Sequence, residues 1–288
     1  MSQSIMILGG TGFLGSVLTN KFLCEGYNVF ILTRDTKVRS KVLRHKALNY
    51  YDLDAVLKPD FFDKKNIGSV INTIANYGRD GETKTDIIQA NYSVPRKIFE
   101  LCLAKKVRCF INTDTFYNTK MNLSPPLSLY VNNKKKFVRY AREVASDQTT
   151  KFINLEIHHM YGPNDRSTKF IPYLVKSFKE NIKSLDLSNC VEKRDFIHVK
   201  DVAQAIFQVT QDCNSLPGQI EIGCGIATEL KEIVRKLKHL CNADTKLNFG
   251  AISSHDTGSY KNKADISILQ NIGWAPNFDI ETGFSDCV

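Results

Sequence analysis

Tyr130 and Lys134 are the side chains whose types and spacing most directly suggest chemistry. They lie four residues apart in "SLYVNNKKKF", residues 128–137. Residues at i and i+4 of an α-helix share a face, so the phenol and the ammonium are expected to be neighbours. A neighbouring cation favours the phenolate, so we expect Lys134 to lower the pKa of Tyr130 from about 10. The pair would then exchange a proton with the carbonyl oxygen of a substrate.

A hydroxyl group is available just upstream of this pair. The segment "FINTDTFY" (110–117) reads as the end of a strand, and it offers Thr113 and Thr115. A hydroxyl beside the phenol would hydrogen-bond the same carbonyl oxygen and complete the site. Both threonines qualify.

A glycine-rich turn at the start of the chain predicts a binding site for a nucleotide that would react together with these residues. The apolar run "SIMILGG" (4–10) predicts a strand, and "SVLTNKFLCEG" (16–26) predicts a helix. Between them stands Gly9-x-x-Gly12-x-x-Gly15, which allows a tight turn and the close approach of a pyrophosphate to main-chain N–H groups. Such a trio also occurs in ordinary turns, and the flanking strand and helix are what favour a dinucleotide site.

The second predicted strand bears on which dinucleotide binds. "YNVFILTR" (27–34) ends in Arg34, not in the Asp or Glu that usually meets a free ribose 2′-hydroxyl. A guanidinium suits a 2′-phosphate through a charge-assisted contact, so NADP(H) is favoured over NAD(H). The alternative is an arginine that is simply exposed at a strand end. Asp52, in "ALNYYDLD" (47–54), stands where a carboxylate can read the adenine amino group.

Further apolar runs predict the rest of the sheet. "SVINTIANYG" (69–78), "CFINTDT" (109–115) and "KFINLEI" (151–157) alternate with predicted helices. The pattern predicts an α/β fold, a Rossmann-type doubly wound parallel sheet with a smaller C-terminal substrate-binding domain. We expect the NADP-binding domain to comprise residues 1–159 and 195–225, and the substrate-binding domain to comprise residues 160–194 and 226–288.

Composition argues against several other classes of protein. The 288 residues are 42% hydrophobic and 24% charged, which is ordinary for a globular chain. No apolar run approaches the roughly 18 residues that span a bilayer, and no signal peptide is apparent, so a cytoplasmic protein without membrane contact is expected. The eight cysteines have no C-x-x-C spacing, so no metal is expected. The net charge of +9 is dispersed, and a small anionic ligand accounts for it as well as a nucleic acid does, so no nucleic-acid partner is expected.

Together these motifs resemble the extended short-chain dehydrogenase/reductase family, the NAD-dependent epimerase/dehydratase group that acts on nucleotide sugars. The resemblance rests on "GGTGFLG" (9–15), Asn91, the Tyr130/Lys134 pair, "MYGPND" (160–165), "KRDFIHVKDVA" (193–203) and "NIGWAPNF" (271–278). Within the group, the chain is most similar to the CDP-paratose and CDP-abequose synthases. That closer likeness is carried by "INTIANYGRDGE" (71–82), "NTDTF" (112–116) and "TKFIPYLV" (168–175).

The resemblance implies an NADPH-dependent reduction of the 4-keto group of a nucleotide-activated hexose. An example is the conversion of CDP-4-keto-3,6-dideoxyglucose to CDP-paratose or CDP-abequose, a deoxysugar step in bacterial lipopolysaccharide O-antigen biosynthesis. Tyr130 would be the acid, Lys134 its partner, and Thr115 or Thr113 the hydroxyl, with Thr115 slightly preferred. The family also implies a homodimer.

The resemblance assigns the remaining roles position by position. The implied cofactor-binding residues are Gly9, Thr11, Gly12, Phe13, Leu14, Arg34, Asp52, Leu53, Ala75, Tyr77, Asn91, Lys134 and His159. The implied substrate-binding residues are Tyr77, His158, Asn164, Lys169, Phe170, Arg194 and His255. Arg194 would clamp the substrate diphosphate, whereas the nearby His198 is expected to be structural.

Departures from the family pattern fall on the substrate side. The family's Tyr-Gly-x-Ser-Lys is here Tyr-Val-Asn-Asn-Lys, His255 stands where a late diphosphate arginine is usual, and His158 replaces an acid. No glutamate follows Asp114, which disfavours the dehydration that some members carry out. Two alternatives stay open: an epimerase with tightly bound NAD, and a member without catalysis that senses NADP or binds RNA.

Overall fold

The structure of the protein is a computed structural model that describes residues 3–35, 42, 44–79, 81–119, 123–145, 149–253 and 263–288. Of the predicted site residues, His255 lies outside the described ones. The chain forms two compact units, one of residues 1–157 with 203–220 and the other of residues 158–202 with 221–288. The ligand assigned to each predicted domain stays a prediction.

The secondary structure alternates between strands and helices through most of the chain. The strands are β1 (Ser4–Leu8), β2 (Asn28–Leu32), β3 (Leu48–Tyr51), β4 (Ile67–Asn72), β5 (Cys109–Thr115), β6 (Lys151–Ile157), β7 (His159–Tyr161), β8 (Ser184–Leu187), β9 (Lys193–His198), β10 (Gln219–Ile222), β11 (Ala227–Glu229) and β12 (Lys246–Phe249). The α-helices are α1 (Phe13–Cys24), α2 (Leu53–Val56), α3 (Phe61–Lys65), α4 (Lys84–Ile88), α5 (Val94–Ala104), α6 (Leu127–Ala145), α7 (Phe170–Lys179), α8 (Val199–Gln211), α9 (Leu230–Leu240), α10 (Ser267–Asn271) and α11 (Ile280–Ser285). A π-helical turn (Gln89–Ser93) joins α4 to α5, and a 3₁₀ turn (Phe116–Thr119) follows β5.

A seven-stranded sheet carries the glycine-rich turn and the candidate catalytic residues. Its strand order is β3-β2-β1-β4-β5-β6-β10, and every pairing from β3 to β6 is parallel. All residues of β1 and β5 are buried, as is usual for strands covered by helices on both faces. The predicted doubly wound parallel sheet is therefore confirmed. Its strand order reverses between β1 and β4, and in such sheets ligands bind at the carboxyl ends of the strands at that point.

Aromatic packing fixes how α6 lies on this sheet. Phe137 of α6 meets Phe110 of β5, Phe152 of β6 and Phe99 of α5, with ring centroids 5.9 to 6.2 Å away. Such edge-to-face contacts stabilise the pair beyond the area they bury. Because this apolar face can point only into the core, the rotation of α6 about its axis is set, and so is the direction of its other side chains.

The second unit has two small sheets and its own core. Strands β11, β9 and β7 form a three-stranded sheet, and β12 pairs with β8 in parallel. Apolar residues of α7, α9 and α11 pack together, among them the fully buried Leu174, Leu237 and Phe284. Asp195 of β9 is 0% exposed, and its carboxylate accepts hydrogen bonds from the main-chain N–H groups of Cys224, Gly225 and Ala264. This carboxylate ties two loops of the unit to β9.

Two searches of the described residues bear on ligands and surroundings. No helix in the described ranges is both long and apolar enough to cross a lipid bilayer. The described part of the chain also contains no group of three or more His, Cys, Asp or Glu residues that could hold a metal ion.

Candidate active site

Tyr130 and Lys134 lie on the buried face of α6. The helix begins at Leu127, so both residues are helical, and they are 2% and 3% exposed. The Lys134 Nζ donates to the main-chain carbonyls of Thr113, at 2.7 Å, and Ile74, at 3.4 Å. It lies 5.8 Å from the centroid of the Tyr130 ring. The predicted proximity of ammonium and phenol is therefore present, although the ammonium points at carbonyl oxygens.

The electrostatics of Tyr130 differ from the expectation. Burial raises its pKa well above the ordinary value, the Tyr77 phenol and the Asp114 carboxylate raise it further, and a hydrogen bond with Thr115 lowers it. The predicted lowering of this pKa by Lys134 is wrong for this structure, because burial dominates and the ammonium is turned to the main chain. Burial also lowers the pKa of Lys134 to about 8, while the Asp114 carboxylate opposes that shift. Tyr130 is thus a protonated phenol at neutral pH.

The two candidate threonines of β5 have different surroundings. Thr115 is hydrogen-bonded to Tyr130, and its hydroxyl oxygen also accepts from the main-chain N–H of Tyr117 at 3.2 Å. The Thr113 hydroxyl instead donates to the main-chain carbonyl of Asn72 at 2.9 Å. The structure therefore brings Thr115 next to the phenol and leaves Thr113 bonded between strands.

The glycine-rich turn has the shape that a dinucleotide requires. Gly9 has φ of +77°, which disfavours any other residue, and a Cβ on Gly15 would lie 2.1 Å from the Gly9 carbonyl oxygen. No side chain caps the amino terminus of the twelve-residue helix α1, whose N-cap is Gly12. The positive end of the helix is therefore left without a capping side chain, which fits a pyrophosphate. Thr11 lies beside this turn, with its hydroxyl 3.5 Å from that of Thr33.

The first two residues of α1 were also predicted to bind the cofactor. Phe13 is half-buried, and the Leu14 side chain is buried in the core. A contact of Leu14 with a phosphate group would therefore come from its main chain.

The residues predicted for the adenosine end lie at the ends of β2 and β3. Arg34 is exposed two residues beyond β2. The pKa of the Asp86 carboxyl is lowered mainly by its hydrogen bond with Thr83, and the charge of Arg34 contributes to the shift. Asp52 is the N-cap of α2, and its Oδ1 accepts from the Ala55 N–H at 2.8 Å. Leu53 begins that helix and is half-buried. The Asp52 carboxylate therefore has a structural partner that the sequence did not predict.

Asn91 supports the segment that follows β4. It is 2% exposed in the π-helical turn; its Nδ2 donates to the carbonyls of Asn76 and Ile87, and its Oδ1 accepts from the Asn76 N–H. These bonds engage its amide with main chain and so hold the segment that carries Ala75 and Tyr77. The Tyr77 ring lies 4.5 Å from the Tyr130 ring, centroid to centroid.

The other predicted ligand-binding residues belong to the second unit. His158 is buried with its Nε2 3.6 Å from Glu221 Oε2, and the His159 ring lies 5.4 Å from the ring of Phe196. Arg194 lies on β9, where it pairs with Thr228 of β11.

A cleft of about 330 Å³ in this unit is lined in part by Asn164 and Asp165. The Lys169 ammonium pairs with Asp165 Oδ1 at 3.0 Å, and Phe170 is the first residue of α7. Of the three predicted residues, Asn164 lines the cleft, Lys169 is joined to it through Asp165, and Phe170 precedes the lining residue Ile171 in the sequence.

A row of buried asparagines is another feature of the first unit that sequence reasoning missed. Asn72, Asn112 and Asn154 are adjacent on β4, β5 and β6, and their amides are hydrogen-bonded to one another. Each follows an isoleucine in "VIN", "FIN" and "FIN", a repeated pattern that could have revealed the row.

Comparison with known proteins gives a consistent relationship. A family model described as "NAD dependent epimerase/dehydratase family" matches residues 5–223. The chain is 29% identical to the CDP-abequose synthase of Salmonella muenchen, over 98% of this chain and 96% of that protein. It is 24% identical to the ADP-L-glycero-D-manno-heptose-6-epimerase of Brachyspira hyodysenteriae, over 97% of this chain and 95% of that protein.

Among solved structures, a UDP-glucuronic acid 4-epimerase from Bacillus cereus matches with a TM-score of 0.83 at 19% identity, covering 99% of this chain and 97% of that one. The UDP-glucose 4-epimerase of Thermotoga maritima matches with a TM-score of 0.82 at 18% identity, covering 98% and 96%. At such identities these two likenesses concern the fold.

Proposed function

The chain belongs to the NAD-dependent epimerase/dehydratase family, and from that premise we propose that it reduces the 4-keto group of a nucleotide-activated 4-keto-hexose with NADPH. The sugar is of the 6-deoxy or 3,6-dideoxy class, as in CDP-4-keto-3,6-dideoxyglucose. The choice of a CDP sugar is supported by the two Salmonella proteins named CDP-abequose synthase, which are 29% and 26% identical to this chain. CDP-paratose or CDP-abequose would be the product.

The observation that carries the proposal is the buried Tyr130 hydroxyl, with Thr115 hydrogen-bonded to it and Lys134 one helical turn away. When bound, the dinucleotide supplies the hydride that the carbonyl carbon receives. Tyr130 gives its proton to the carbonyl oxygen, and the buried phenol is in the protonated form that this step requires at neutral pH. The Thr115 hydroxyl would hold the same oxygen, and Lys134 would hold the nicotinamide ribose.

Asp114 supports reduction over dehydration. Its Oδ1 accepts from the main-chain N–H of Thr115 at 2.9 Å, and its Oδ2 accepts from Asn154 at 2.9 Å. Elimination of water needs an acid and a base of its own, and this carboxylate is engaged in holding the main chain. Thr115 stands next to it, where members of the family that dehydrate sugars carry a glutamate.

Arg34 supports NADPH as the cofactor. It is exposed beyond β2, beside the crevice where the adenosine ribose of a dinucleotide lies in folds of this type. A guanidinium at that place pairs with a 2′-phosphate in two parallel hydrogen bonds, which a free 2′-hydroxyl does not offer.

The test is turnover of a substrate panel. Purified protein is incubated with NADPH or NADH and with CDP-, dTDP- and GDP-4-keto-6-deoxy sugars, and the product alcohol is identified by NMR. We expect NADPH to be consumed with a CDP sugar. If the protein instead copurifies with stoichiometric NAD and consumes no NADPH, it is an epimerase. If it binds RNA in a salt-dependent way and NADPH does not protect it against heat denaturation, it is a family member without catalysis.

Replacing the phenol tests the assigned acid. We expect Tyr130→Phe to lower kcat by about 10²- to 10⁴-fold, the range over which general acids contribute, while NADPH binding stays intact. Tyr140→Phe is the matched control, because that tyrosine lies on the same helix and its hydroxyl bonds Glu100. Near-normal turnover of Tyr130→Phe would remove Tyr130 from the mechanism.

A further inference from the structure

The asparagine row of the first unit has a direction. Asn72 Nδ2 donates to Asn112 Oδ1 at 2.8 Å, and Asn112 Nδ2 donates to Asn154 Oδ1 at 2.7 Å. Asn154 Nδ2 then donates to Asp114 Oδ2 at 2.9 Å and to Gln219 Oε1 at 3.1 Å. The three asparagines are at most 2% exposed, so these bonds form away from water. We call these three residues the asparagine ladder.

Both ends of the asparagine ladder fix the same direction. At one end, the Ile74 N–H donates to Asn72 Oδ1 at 3.2 Å, and an N–H can only donate. At the other end stands Asp114, and an ionised carboxylate can only accept. The amide dipoles therefore align, with their donor ends toward the carboxylate, and a chain of aligned hydrogen bonds in a dry interior strengthens its members.

The asparagine ladder ends at the main-chain groups that hold the candidate catalytic residues. Ile74 donates its N–H to the ladder, and its carbonyl accepts from the Lys134 ammonium. Asp114 bonds the N–H of Thr115 and is the residue after Thr113, whose carbonyl also accepts from Lys134. One bonded network thus holds the Thr115 main chain and both main-chain acceptors of Lys134.

We propose that Asp114 is a positioning residue of this site: its buried carboxylate ends the asparagine ladder, holds the main chain of Thr115, and places a negative charge near the Lys134 ammonium and the Tyr130 hydroxyl. The proposal rests on the proposed function for its consequence in catalysis. Among the described residues, the titratable groups with the largest effects on the Tyr130/Lys134 pair are Asp114 of β5 and Tyr77 after β4. Asp114 is the carboxylate among them, and its effect has the same sign on both members of the pair.

The charge on Lys134 gives a test that needs no substrate. Its pKa in the folded protein is about 8, against 10.5 ordinarily, because burial penalises the ammonium. Between pH 8 and 10.5, Lys134 is protonated in the unfolded chain but not in the folded protein. The free energy of unfolding of the wild type therefore increases, relative to that of Lys134→Met, as the pH rises from about 8 to 10.5. This gain in stability, measured by chemical denaturation across pH, is the quantity to follow.

We expect Asp114→Asn to move the onset of that gain to lower pH by about one unit, because the lysine loses the charge that supports its proton. The comparison uses the wild type, Asp114→Asn, Lys134→Met and the double variant. Asp86→Asn is the matched control, since it neutralises an exposed carboxylate of the same unit, and it should leave the onset in place. A carboxylate with only a structural role would lower stability equally at every pH, and that result would overturn the proposal.

Turnover of the substrate panel and the pH onset together separate this proposal from the proposed function. If the wild type reduces no sugar but Asp114→Asn shifts the onset, the proposed function fails and the role of Asp114 stands. If the wild type reduces a sugar but Asp114→Asn leaves the onset unmoved, the role of Asp114 is wrong. Should Asp114→Asn not fold, Asp114→Glu keeps the charge on a longer side chain; we expect an unmoved onset with a lowered kcat, and a displaced onset would again overturn the proposal.

Discussion

Two threonines of one strand share a side of the sheet and have different partners. Thr113 and Thr115 are two residues apart on β5, so their side chains point the same way. Thr113 donates to the main chain of the neighbouring strand, whereas Thr115 is bonded to the Tyr130 hydroxyl. A hydroxyl that already donates to a buried carbonyl contributes to stability, and one beside the acid is available to a substrate oxygen.

Valine replacements separate these two roles. We expect Thr115→Val to lower kcat by roughly 10²-fold, the effect of removing one donor to a reacting oxygen, with little change in stability. We expect Thr113→Val to lower the free energy of unfolding by about 1 to 3 kcal/mol, because the Asn72 carbonyl loses a buried donor. Steady-state kinetics and chemical denaturation of both variants give the answer. The reverse pattern would transfer the catalytic assignment to Thr113.

The sequence predicts which residues meet at the site better than it predicts their protonation. The i, i+4 spacing correctly predicted that Tyr130 and Lys134 share a face of α6. The direction of the Tyr130 pKa shift was wrong, because it depends on how deeply the phenol is buried and on where the ammonium points. Both depend on the packing of α6 against strands that are distant in the sequence, and no spacing within one helix encodes them.

The turn between β1 and α1 depends on glycine for a steric reason. A Cβ on Gly15 would lie 2.1 Å from the Gly9 carbonyl oxygen and 2.8 Å from the Gly10 Cα. Real Cβ atoms do not approach main chain so closely, so α1 would have to move away from the turn. That movement would displace the uncapped N–H groups on which the proposed pyrophosphate site relies.

An alanine at this position is therefore expected to weaken cofactor binding. We expect Gly15→Ala to raise the dissociation constant for NADPH by more than about tenfold, equivalent to 1.4 kcal/mol, as measured by fluorescence titration. Gly68→Ala is the control, because the nearest atom to a Cβ there is the Ser4 carbonyl oxygen at 3.8 Å. Equal affinities for the two variants would argue against a dinucleotide at this turn.

The elements of the sheet were largely predictable, and the contacts between them were not. Apolar runs bounded by turns predicted β1, β2, β5 and β6 to within a few residues. The role of Asp52 as the N-cap of α2 was missed, because α2 is only four residues long and has no apolar period. The asparagine ladder was missed because the repeated Ile-Asn pattern marks its three residues, but only the register of the three strands places them side by side.

Strand β9 ends in a buried histidine, and we expect it to make the stability of the second unit depend on pH. The His198 ring stacks on Phe278 with centroids 4.1 Å apart, and its Nε2 lies 3.3 Å from Asp286 Oδ2. Its pKa is lowered to about 4, chiefly by burial; Asp286 opposes the shift, and Lys200 adds a smaller lowering. The folded protein therefore keeps His198 neutral over a pH range in which the unfolded chain binds a proton.

Stability should accordingly fall as the pH drops from 6.5 to 4, the ordinary and the folded values for this histidine. The loss attributable to His198 is on the order of 3 kcal/mol when complete. We expect His198→Gln to reduce this pH dependence, whereas His239→Gln, at an exposed position of α9, should not. Denaturant midpoints at several pH values provide the measurement, and identical slopes for wild type and His198→Gln would contradict the assignment.

On the scale of the whole molecule, the chain consists of two compact units with different candidate roles. The glycine turn and the Tyr130/Lys134 pair belong to the first unit, whereas Asn164, Lys169 and Arg194 belong to the second. The net charge of +9 suits anionic ligands on both units. This net charge does not distinguish a dinucleotide from a nucleotide sugar as the ligand. The homodimer stays a prediction.

Hydrogen exchange can test this division of roles on the intact protein. Amides that bind a ligand exchange more slowly, because the ligand must leave before the segment opens. We expect NADPH to slow exchange in residues 9–15 and 127–134 of the first unit. CDP should slow exchange in residues 164–170 and 193–195 of the second unit. Protection of the glycine turn by CDP, or no protection of the second unit by any nucleotide tested, would contradict the assignment of a cofactor to one unit and a nucleotide-linked substrate to the other.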